Sequence, residues 1–498
     1  MLFFRKSNPV VIRPRAEHTI SRANIAPEAL KVLYRLSDAG YKAYLVGGSV
    51  RDLLMGRHPK DFDISTDAQP REIKRLFRNC FLIGRRFRLA HVVFGDKVIE
   101  TSTFRKQPDE AVAVADEQAP GALYQSSDNT FGTPEEDAKR RDFTVNGLFY
   151  DIKTFEIIDY VGGLRDLDQR ILRSIGDPNV RFREDPVRMM RAVRLAARLG
   201  LAIERKTNRA IRTHHREIVQ ASTARVLEEI FRLFGFNASA RTFKSLWETR
   251  LMAALMPRLD RYVNDSGKAA SPLWSHLAAM DALAEQAGAE PSNGLRLAVL
   301  AYPLFRRAVE TAARDGADVN QLQVAEQCLA EFNERFKVPK AIYYHALHLL
   351  DDQQRLDVMP APGRRIRPGK VPEFIDALRL ARIRLAVSGE SRAALDAWSK
   401  LIPSASGHGH HETWVRSARS PRDAAPADAP AEEAAPAETD GIDADGASAP
   451  AEADPARRTR KRRHRGGRRH KRGPRGDVAA PGGDTPAAPA AGAAASPH

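Results

Sequence analysis

GGSVRDLLMGRHPKDFD, residues 47–63, is the stretch of this 498-residue chain that decides the fold of its N-terminal part. The apolar run AYLV just before it predicts a strand, and Gly47-Gly48 then predicts a turn into a short helix over residues 49–55. Residues 61–65 predict a second strand. The succession of strand, glycine turn, helix and strand indicates a mixed α/β unit.

The turn and the second strand carry complementary chemistry. Two glycines let a backbone approach a ligand closely, the following helix start presents free N–H groups to phosphate, and Arg51 adds a cation. The two-residue period of a strand puts Asp61 and Asp63 on one face and the phenylalanine between them into the core. Neighbouring carboxylates repel unless a cation separates them, and Mg²⁺ prefers such hard oxygen ligands. An isolated Asp-x-Asp is more often a solvated strand face; beside an anion cradle it favours nucleotidyl transfer.

The GGSVRD turn and the DFD strand resemble the first motif of the class II nucleotidyltransferases of the polymerase β superfamily, which comprise bacterial poly(A) polymerases and tRNA CCA-adding enzymes. The resemblance runs over about residues 41–200. It implies an α/β nucleotidyltransferase head with a mixed sheet, followed by an all-α neck and body. The expected domains are an arm, the head, the neck, the body and a tail, over residues 1–20, 21–165, 166–235, 236–415 and 416–498.

Two further segments extend the resemblance into the catalytic site. IETSTFR, residues 99–105, resembles the strand with the third carboxylate, which would be Glu100; a salt-bridged surface Glu is the alternative. EEDAKRRDFTVN, residues 135–146, resembles the motif that holds ribose and triphosphate. There Arg141 would contact phosphate, and Asp142 and Asn146 would orient the sugar or complete the active site. Whether Glu100 or Asp142 is the third catalytic carboxylate stays open.

REDPVRMMRAVRLAARLG, residues 183–200, resembles the segment that selects the nucleobase, through Asp185 and Arg188. These two residues also predict a purely structural arrangement, in which Asp185 caps the helix and pairs with Arg188 three residues on. Arg188, Arg191, Arg194 and Arg198 fall on one face of the predicted helix and form a basic stripe suited to RNA.

The resemblance thus implies four sets of residues. The catalytic set is Asp61, Asp63 and Asp142, and the metal set is Asp61, Asp63 and Glu100, with Mg²⁺ as the cofactor. The nucleotide-binding set is Gly47, Gly48, Ser49, Arg51, Asp52, Arg105, Arg141, Asn146, Asp185 and Arg188. The RNA-binding set is Arg85, Arg86, Arg88, Arg191, Arg194 and Arg198.

LIGRRFRLAHV, residues 82–92, resembles the signature of the bacterial poly(A) branch, although three arginines on a surface turn are the simpler interpretation. The chain contains no His-Asp dipeptide, which argues against the phosphohydrolase domain fused to some CCA-adding enzymes. The sequence therefore predicts a template-independent polymerase that adds AMP from ATP to RNA 3′ ends, releases pyrophosphate and acts in mRNA processing and decay. The alternatives are a CCA-adding enzyme and a non-catalytic RNA-binding scaffold.

The charge of the chain favours a polyanionic partner. The net charge is +16, of which the low-complexity stretch 421–498 contributes only +1, so the rest of the chain is basic in its own right. The tail is predicted to be disordered. Residues 457–475 hold twelve Arg or Lys and no acidic residue, a composition that favours RNA contact and a possible docking of RNA-decay proteins.

Two cysteines exclude a disulfide framework and a cysteine-based zinc site. The sequence has no apolar run near 18 residues, so a transmembrane protein is excluded and a cytoplasmic location is expected. Hairpins are predicted at Gly95-Asp96 and near Lys153-Thr154, a mobile loop over 106–133, and predominantly helices from about 179 to 402.

Overall fold

A computed structural model of the chain describes residues 9–84, 89–106, 130–316, 319–364, 366 and 371–402. The predicted arginines Arg85, Arg86 and Arg88, most of the predicted loop at 106–133 and the whole tail lie outside these residues. The strands are β1 Val11–Arg13, β2 Ala43–Val46, β3 Asp63–Thr66, β4 Cys80–Ile83, β5 Leu89–Phe94, β6 Lys97–Thr103, β7 Leu148–Asp151, β8 Ile157–Asp159, β9 Ile171–Leu172 and β10 Ala202–Ile203.

Eight strands form one mixed sheet in the order β1-β8-β7-β2-β3-β6-β5-β4. β3 and β6 run parallel, and the other neighbouring pairs are antiparallel. Both predicted hairpins are confirmed: Gly95, with φ +61°, turns β5 into β6, and residues 152–156 turn β7 into β8. The helices of this part are α1 Pro27–Asp38, α2 Gly48–Leu54, α3 Pro70–Leu76, α4 Pro134–Arg140 and α5 Gly163–Asp168.

Strand register brings the sequence motifs to one end of the sheet. Val46, the last residue of β2, pairs with Asp63 of β3, so the glycine turn lies beside the first residue of β3. In the parallel pair, Ile64 is opposite Thr101. The preceding residues, Asp63 and Glu100, are therefore neighbours whose side chains share a face, because parallel strands keep the same alternation.

The rest of the described chain is helical, as predicted. The helices are α6 Pro178–Glu184, α7 Val187–Leu199, α8 Arg205–His214, α9 Thr223–Arg232, α10 Ser239–Glu248, α11 Leu251–Leu255, α12 Pro257–Asp265, α13 Pro272–Ala287, α14 Asn293–Arg314, α15 Gln321–Phe336, α16 Lys340–Leu356, α17 Val371–Ser388 and α18 Ala393–Ser399. A continuous apolar core runs from α1 to α18. The fold class predicted from the sequence is confirmed for the head and the helical body, while the exact domain bounds stay a prediction.

Four features differ from the sequence-based expectation. Asp61 precedes β3, which begins only at Asp63, so the first carboxylate of the motif lies just outside the paired strand rather than on it. β4 and β5, at residues 80–83 and 89–94, pair antiparallel, and β1 adds an edge strand that pairs with β8. The short parallel pair of β9 and β10 places a strand at residues 202–203, inside the region predicted to be helical.

Cys80 and Cys328 are both buried and both free thiols. In the described part of the chain, no helix combines the length and the apolar character that crossing a membrane requires.

Candidate active site

The structure gives a steric reason for glycine at both positions of the turn, which the sequence alone did not reveal. Gly47 has φ +71°, and a Cβ there would lie 2.9 Å from Nη1 of Arg141. At Gly48, the first residue of α2, a Cβ would lie 3.5 Å from Nη2 of Arg51. The two glycines therefore let two guanidinium groups approach the main chain where α2 begins, beside the N–H groups of the helix start.

An open cavity of about 410 Å³ lies at this turn, between the sheet and the neck helices. It brings together eleven of the predicted residues: Gly47, Gly48, Arg51, Asp63, Arg141, Asp142, Asn146, Asp185, Arg188, Arg191 and Arg194. Leu195 and Arg225, which no motif indicated, complete the lining. Twelve of the thirteen lining residues are Arg, Asp, Asn or Gly, so the walls are suited to a charged, hydrogen-bonding ligand.

Arg141 is fixed on the floor of the cavity by Asp137, a fully buried residue that the sequence reasoning did not single out. Nε and Nη2 of Arg141 donate to Oδ2 of Asp137, at 3.2 and 2.8 Å. Nη2 also lies 3.3 Å from Oγ of Ser65, and the guanidinium carbon is 5.3 Å from the centroid of the Phe149 ring. These contacts hold the cation in place before any phosphate arrives.

The carboxylate of Asp63 faces the cavity amid excess negative charge. Desolvation and the neighbouring carboxylates of Glu100 and Asp61 raise the pKa of Asp63 to about 6, against the lowering effect of Arg141. Glu100 is half exposed, and its Oε1 is 3.7 Å from Nε2 of His91 on the adjacent strand. This unbalanced cluster is the kind of arrangement that a bound cation stabilises.

The donor set fits Mg²⁺ in its chemistry. Within the described ranges, no group of three Asp, Glu, His or Cys side chains is arranged closely enough to hold a metal ion. Carboxylate oxygens with uncompensated charge beside a phosphate cradle are nevertheless the ligands that Mg²⁺ takes, with water and substrate oxygens completing its shell. Asp63, with Asp61 and Glu100 beside it, is therefore where the ion would be held; their individual roles stay predictions.

A chain of hydrogen bonds links six side chains, and both of its end residues lie on α7. Because the helix joins the two ends, we call this arrangement the α7 ring. Its members, in order, are Arg191, Asp142, Asn146, Arg51, Asp52 and Arg198. Arg191 and Arg198 are seven residues apart, so both project from the same face of the helix, two turns from each other.

The first half of the α7 ring surrounds Asp142. Arg191 donates to Oδ2 of Asp142 from Nε at 2.9 Å and from Nη2 at 2.6 Å. Asn146 donates to Oδ1 at 2.9 Å. Burial opposes the charge of Asp142, but Arg191, Asn146 and the Phe143 amide outweigh it and hold its pKa well below the usual range. Asp142 is thus a charge-neutralised carboxylate, unlike Asp63.

The second half of the α7 ring runs through buried charges. Arg51 donates to Oδ1 of Asn146 and, from Nη2 at 2.7 Å, to Oδ1 of Asp52. Oδ2 of Asp52 accepts from Nη2 of Arg198 at 2.8 Å. Arg51 and Asp52 are only 3% and 4% exposed, so breaking one link leaves a buried charge without its partner.

The neck helix does not present the open basic stripe that the sequence suggested. Its arginines face the stripe side as predicted, but each has a carboxylate partner: Glu184 for Arg188, Asp142 for Arg191, Glu229 for Arg194 and Asp52 for Arg198. The opposite face, with Met189, Met190 and Val193, is buried as expected. RNA contact by Arg191, Arg194 and Arg198 stays a prediction, and their protein contacts indicate a structural role.

The predicted ion pair between Asp185 and Arg188 is wrong. Oδ2 of Asp185 accepts from Nη2 of Arg225 at 2.7 Å, whereas Arg188 pairs with Glu184 at 3.3 Å. The predicted capping is visible in a modified form, since α7 begins at Val187 and its amide donates to Oδ1 of Asp185 at 3.3 Å. Both side chains still line the cavity, on the side away from the sheet.

Several predicted residues lie outside the cavity lining. Ser49 is buried, and its hydroxyl donates to the carbonyl of Val46 at 3.0 Å, which stabilises the turn. Arg105 follows β6, and its amide lies 3.4 Å from Oδ1 of Asp137. Asp61 and Glu100 lie beside Asp63 but do not line the cavity. Asp52 and Arg198 do not line it either; Asp52 bonds the lining residue Arg51, and Arg198 bonds Asp52.

Family comparisons account for this arrangement. Residues 43–173 match the model described as the poly A polymerase head domain, and residues 200–263 match the probable RNA- and SrmB-binding site of polymerase A. The glycine turn, Asp63 and seven of the eight strands of the sheet lie within the first matched region, residues 43–173.

Curated relatives include both branches of the family. Poly(A) polymerase I of Escherichia coli is 48% identical over 261 residues, which is 52% of this chain and 56% of that protein. Poly(A) polymerase I of Haemophilus influenzae is 40% identical over 253 residues, 50% of this chain and 56% of that protein. The CCA-adding enzyme of Lactobacillus helveticus is 40% identical over 225 residues, 45% of this chain and 54% of that protein. The matches thus span little more than half of each relative.

The crystal structure of the Bacillus stearothermophilus CCA-adding enzyme in complex with CTP is 29% identical, with a TM-score of 0.54 over 75% of this chain and 80% of that chain. Because this likeness extends well beyond the matched head domain, it supports one shared architecture for the head and the helical body. The matched head region and the helices after it therefore form the fold that the sequence motifs predicted.

The contact between Asp142 and Arg191 predicts a measurable acid dependence of stability. The pKa of Asp142 is lower in the folded state than in the unfolded chain, so its contribution is present above the unfolded pKa of about 4 and is lost as the pH falls. Between pH 5 and about 3, the free energy of unfolding of the parent should fall more steeply than that of Asp142→Asn, by up to about 1.4 kcal/mol per pH unit.

Chemical denaturation at a series of pH values measures this difference. Asp168→Asn is the matched control, because Asp168 pairs with Arg13 at 2.6 Å but is 56% exposed, and it should leave the slope nearly unchanged. Equal slopes for the parent and for Asp142→Asn would contradict the depressed pKa.

Proposed function

We propose that this protein is a template-independent poly(A) polymerase that transfers AMP from ATP to RNA 3′ ends and releases pyrophosphate. The observation that carries the proposal is the cavity in which Asp63 faces Arg51, Arg141 and the glycine turn. A carboxylate for the metal and cations for a triphosphate on one wall are the parts that phosphoryl-group transfer requires. The 48% identity to poly(A) polymerase I favours this branch over the CCA-adding one.

In this proposal each wall of the cavity has its own task. Arg141 and the main chain at Gly47-Gly48 hold the triphosphate, and the α7 ring keeps Asn146 and Asp142 oriented toward the ribose. Asp63, with Asp61 and Glu100 beside it, would hold Mg²⁺, and the ion would lower the pKa of the attacking 3′-hydroxyl and stabilise charge on the leaving pyrophosphate. Because the guanidinium groups are fixed by Asp137 and Asp52, little reorganisation accompanies the reaction.

The biological role follows the same proposal. We infer that the protein acts in the cytoplasm in mRNA processing and decay, and that the basic cluster at 457–475 contacts RNA or RNA-decay proteins. The support is compositional, since twelve cations in nineteen residues suit phosphate contact.

Nucleotide preference on a generic RNA primer with Mg²⁺ tests the proposal. Supplied with one labelled nucleotide at a time, the protein is expected to extend the primer with many AMP residues and with few CMP, GMP or UMP residues. Incorporation of two CMP and one AMP into a tRNA lacking its CCA end, with no further extension, would instead identify a CCA-adding enzyme. No incorporation of any nucleotide would favour a non-catalytic RNA-binding scaffold.

Base choice gives a sharper prediction for Asp185. Its carboxylate retains acceptor positions beyond those used by Val187 and Arg225, and adenine offers an exocyclic amine, while Arg188 can donate to the ring nitrogen beside it. Guanine reverses that pattern and leaves polar groups unpaired, at about 1–3 kcal/mol each. Asp185→Ala is therefore expected to lower the ratio of kcat/KM for ATP over GTP by about 10- to 100-fold.

Asp177→Ala is the matched control for helix capping. Asp177 caps the preceding helix α6 by accepting from the Asn179 amide at 2.9 Å and is exposed. Each variant should lose about 1 kcal/mol of stability through its cap. If both variants keep the parental ATP:GTP ratio, Asp185 is a cap alone and other residues of the cavity read the base.

A further inference from the structure

The helical body contains a second cavity, of about 450 Å³, that shares no lining residue with the candidate active site. It lies between α12, α13, α14 and α17, and its size falls in the range of small-ligand pockets. None of the sequence motifs indicated it, because its residues come from four helices spread over more than a hundred positions. We call it the body cavity.

Three aromatic rings line the body cavity. Tyr262, His276 and Tyr302 are 7%, 7% and 4% exposed, and the rings of His276 and Tyr302 have centroids 5.3 Å apart. Aromatic faces in a pocket of this volume are platforms on which a nucleobase stacks. Polar groups also line the cavity, and an aliphatic ligand would not require them.

His276 supplies a hydrogen-bond acceptor. Its Nδ1 is 2.8 Å from the carbonyl oxygen of Pro272, and because a carbonyl only accepts, Nδ1 carries the proton. Burial lowers the pKa of His276 despite that bond, and Arg306 adds to the lowering, so the ring is neutral near pH 7. Nε2 is then an acceptor, with no hydrogen-bonding partner among the described residues, on a ring that lines the cavity. An exocyclic amine of adenine would satisfy it.

The rim of the body cavity carries two arginines. Arg306 is held there by Glu310 at 2.6 Å, by Glu390 at 3.6 Å and by a hydrogen bond with Tyr302. Arg307 pairs with Asp265 at 3.3 Å, and both of these side chains are more than half exposed, so this pair contributes at most about 1 kcal/mol and Arg307 can turn to a phosphate at small cost. Arg307 also lies over Tyr262, with 5.6 Å from its guanidinium carbon to the ring centroid.

Position in the chain points to RNA as the source of the nucleotide. The region matched to the probable RNA- and SrmB-binding site covers residues 200–263 and includes most of α12, which contributes Tyr262 to the cavity. The body cavity thus begins where that region ends, in a chain whose net charge is +16.

We propose that the body cavity holds one nucleotide of the RNA strand upstream of the 3′ end, with its base, preferably adenine, stacked among Tyr262, His276 and Tyr302 and its phosphate on Arg306 and Arg307. This inference rests on the proposed function only in taking RNA as the substrate. Such a site anchors a primer that has already been extended, at a fixed distance from the point of addition.

The test uses the full-length protein and a 20-nucleotide oligoadenylate in which a single abasic position is moved along the strand. We expect the affinity, measured by fluorescence anisotropy, to fall about tenfold when the abasic position coincides with the body cavity, because one stacked base is lost. The same binding defect should occur with intact oligoadenylate in His276→Phe or Arg307→Ala. In Arg307→Ala the slope of log K against log salt should also become shallower by about 0.7.

Arg314→Ala is the matched control, since Arg314 is an exposed arginine on the same helix, two turns beyond Arg307 and outside the cavity. It should keep the parental affinity and salt slope. AMP transfer to a primer too short to reach the body cavity should be equal in the parent and all three variants, and this readout separates a failed polymerase assignment from a failed anchor.

Three outcomes would overturn the anchor: affinity insensitive to the abasic position along the whole strand, identical binding by the Arg307 and Arg314 variants, or free AMP competing at the cavity as well as oligoadenylate does. Because Arg307 is exposed, its variant is expected to fold even if replacement of the buried His276 destabilises the body.

Discussion

Asp63→Asn is expected to lower kcat for AMP transfer by at least about 1,000-fold, which corresponds to about 4 kcal/mol of transition-state stabilisation. The reason is that Asp63 is the carboxylate on the cavity wall, next in register to Glu100 and in an excess of negative charge. The substitution keeps the shape of the side chain and removes only its charge. Single-turnover transfer of labelled AMP to an RNA primer measures the effect.

Stability should move in the opposite direction. The pKa of Asp63 in the folded state, about 6, lies above its ordinary value, so the folded state favours the protonated carboxyl. At neutral pH the ionised form therefore destabilises the fold, and its removal should leave Tm unchanged or raise it, with solvent exposure keeping the gain small. A structural role for Asp63 predicts a lower Tm instead.

Asp96→Asn is the matched control, because Asp96 is an exposed residue of the hairpin turn between β5 and β6 on the same sheet. It should keep parental activity and stability. Activity within tenfold of the parent for Asp63→Asn would contradict the assignment of Asp63 to the metal, whatever its Tm.

Arg191→Met is expected to lower kcat/KM for ATP by about 100-fold while leaving the affinity for RNA unchanged. In the α7 ring Arg191 neutralises Asp142 and so orients Asn146 and Arg51, which makes it a positioning residue. Displacement of such groups by about 1 Å is sufficient for a loss of this size. The pair is partly open to solvent, so the accompanying loss of stability should be about 2 kcal/mol.

Separate measurements of ATP kinetics and RNA binding distinguish the two roles assigned to Arg191. If it contacts RNA as the sequence suggested, the salt slope of RNA binding becomes shallower by about 0.7 and KM for ATP stays constant. If it positions the site, the ATP parameters change and the salt slope does not. Arg191→Lys restores the charge without the paired contact and should recover only part of the activity.

Arg232→Met serves as the control for Arg191. Arg232 lies on the neighbouring helix α9, is half exposed and pairs with Glu228 at 2.6 Å; its contact with Glu229 is longer, at 3.9 Å, and Glu229 keeps its closer partner Arg194 when Arg232 is replaced. Its loss should change neither ATP kinetics nor stability by more than about 0.5 kcal/mol. A parental kcat/KM for ATP in Arg191→Met would show that the α7 ring does not position the site.

The features that local pattern encodes were predictable from the sequence. The glycine turn, the strand with Asp63, the hairpin that presents Glu100 and the helix after Asp185 each follow from residues within about ten positions of one another. Helical periodicity likewise predicted that the arginines of α7 share one face.

The residues that the arginine face of α7 contacts could not be predicted from the sequence. Asp52 is 146 residues from Arg198 in the chain, and Asp142 is 49 residues from Arg191, so no local pattern distinguishes a solvent-exposed stripe from one that meets carboxylates. Arg225 was missed for the same reason, since it reaches Asp185 from 40 residues away on a helix without a motif. The start of β3 was misplaced because alternation alone cannot show where strand pairing ends.

The two anchors of α7 also limit how this helix can move. Arg191 and Arg198 are about 10 Å apart along the helix axis, and each is held by an acid from a different segment of the head, Asp142 and Asp52. A rotation of α7, or a slip by one residue, would break both ion pairs together, so Asp185 and Arg188 at its start stay at a fixed distance from the sheet. An enzyme that must switch between bases would need a hinge at this point. A rigid joint suits repeated addition of the same nucleotide.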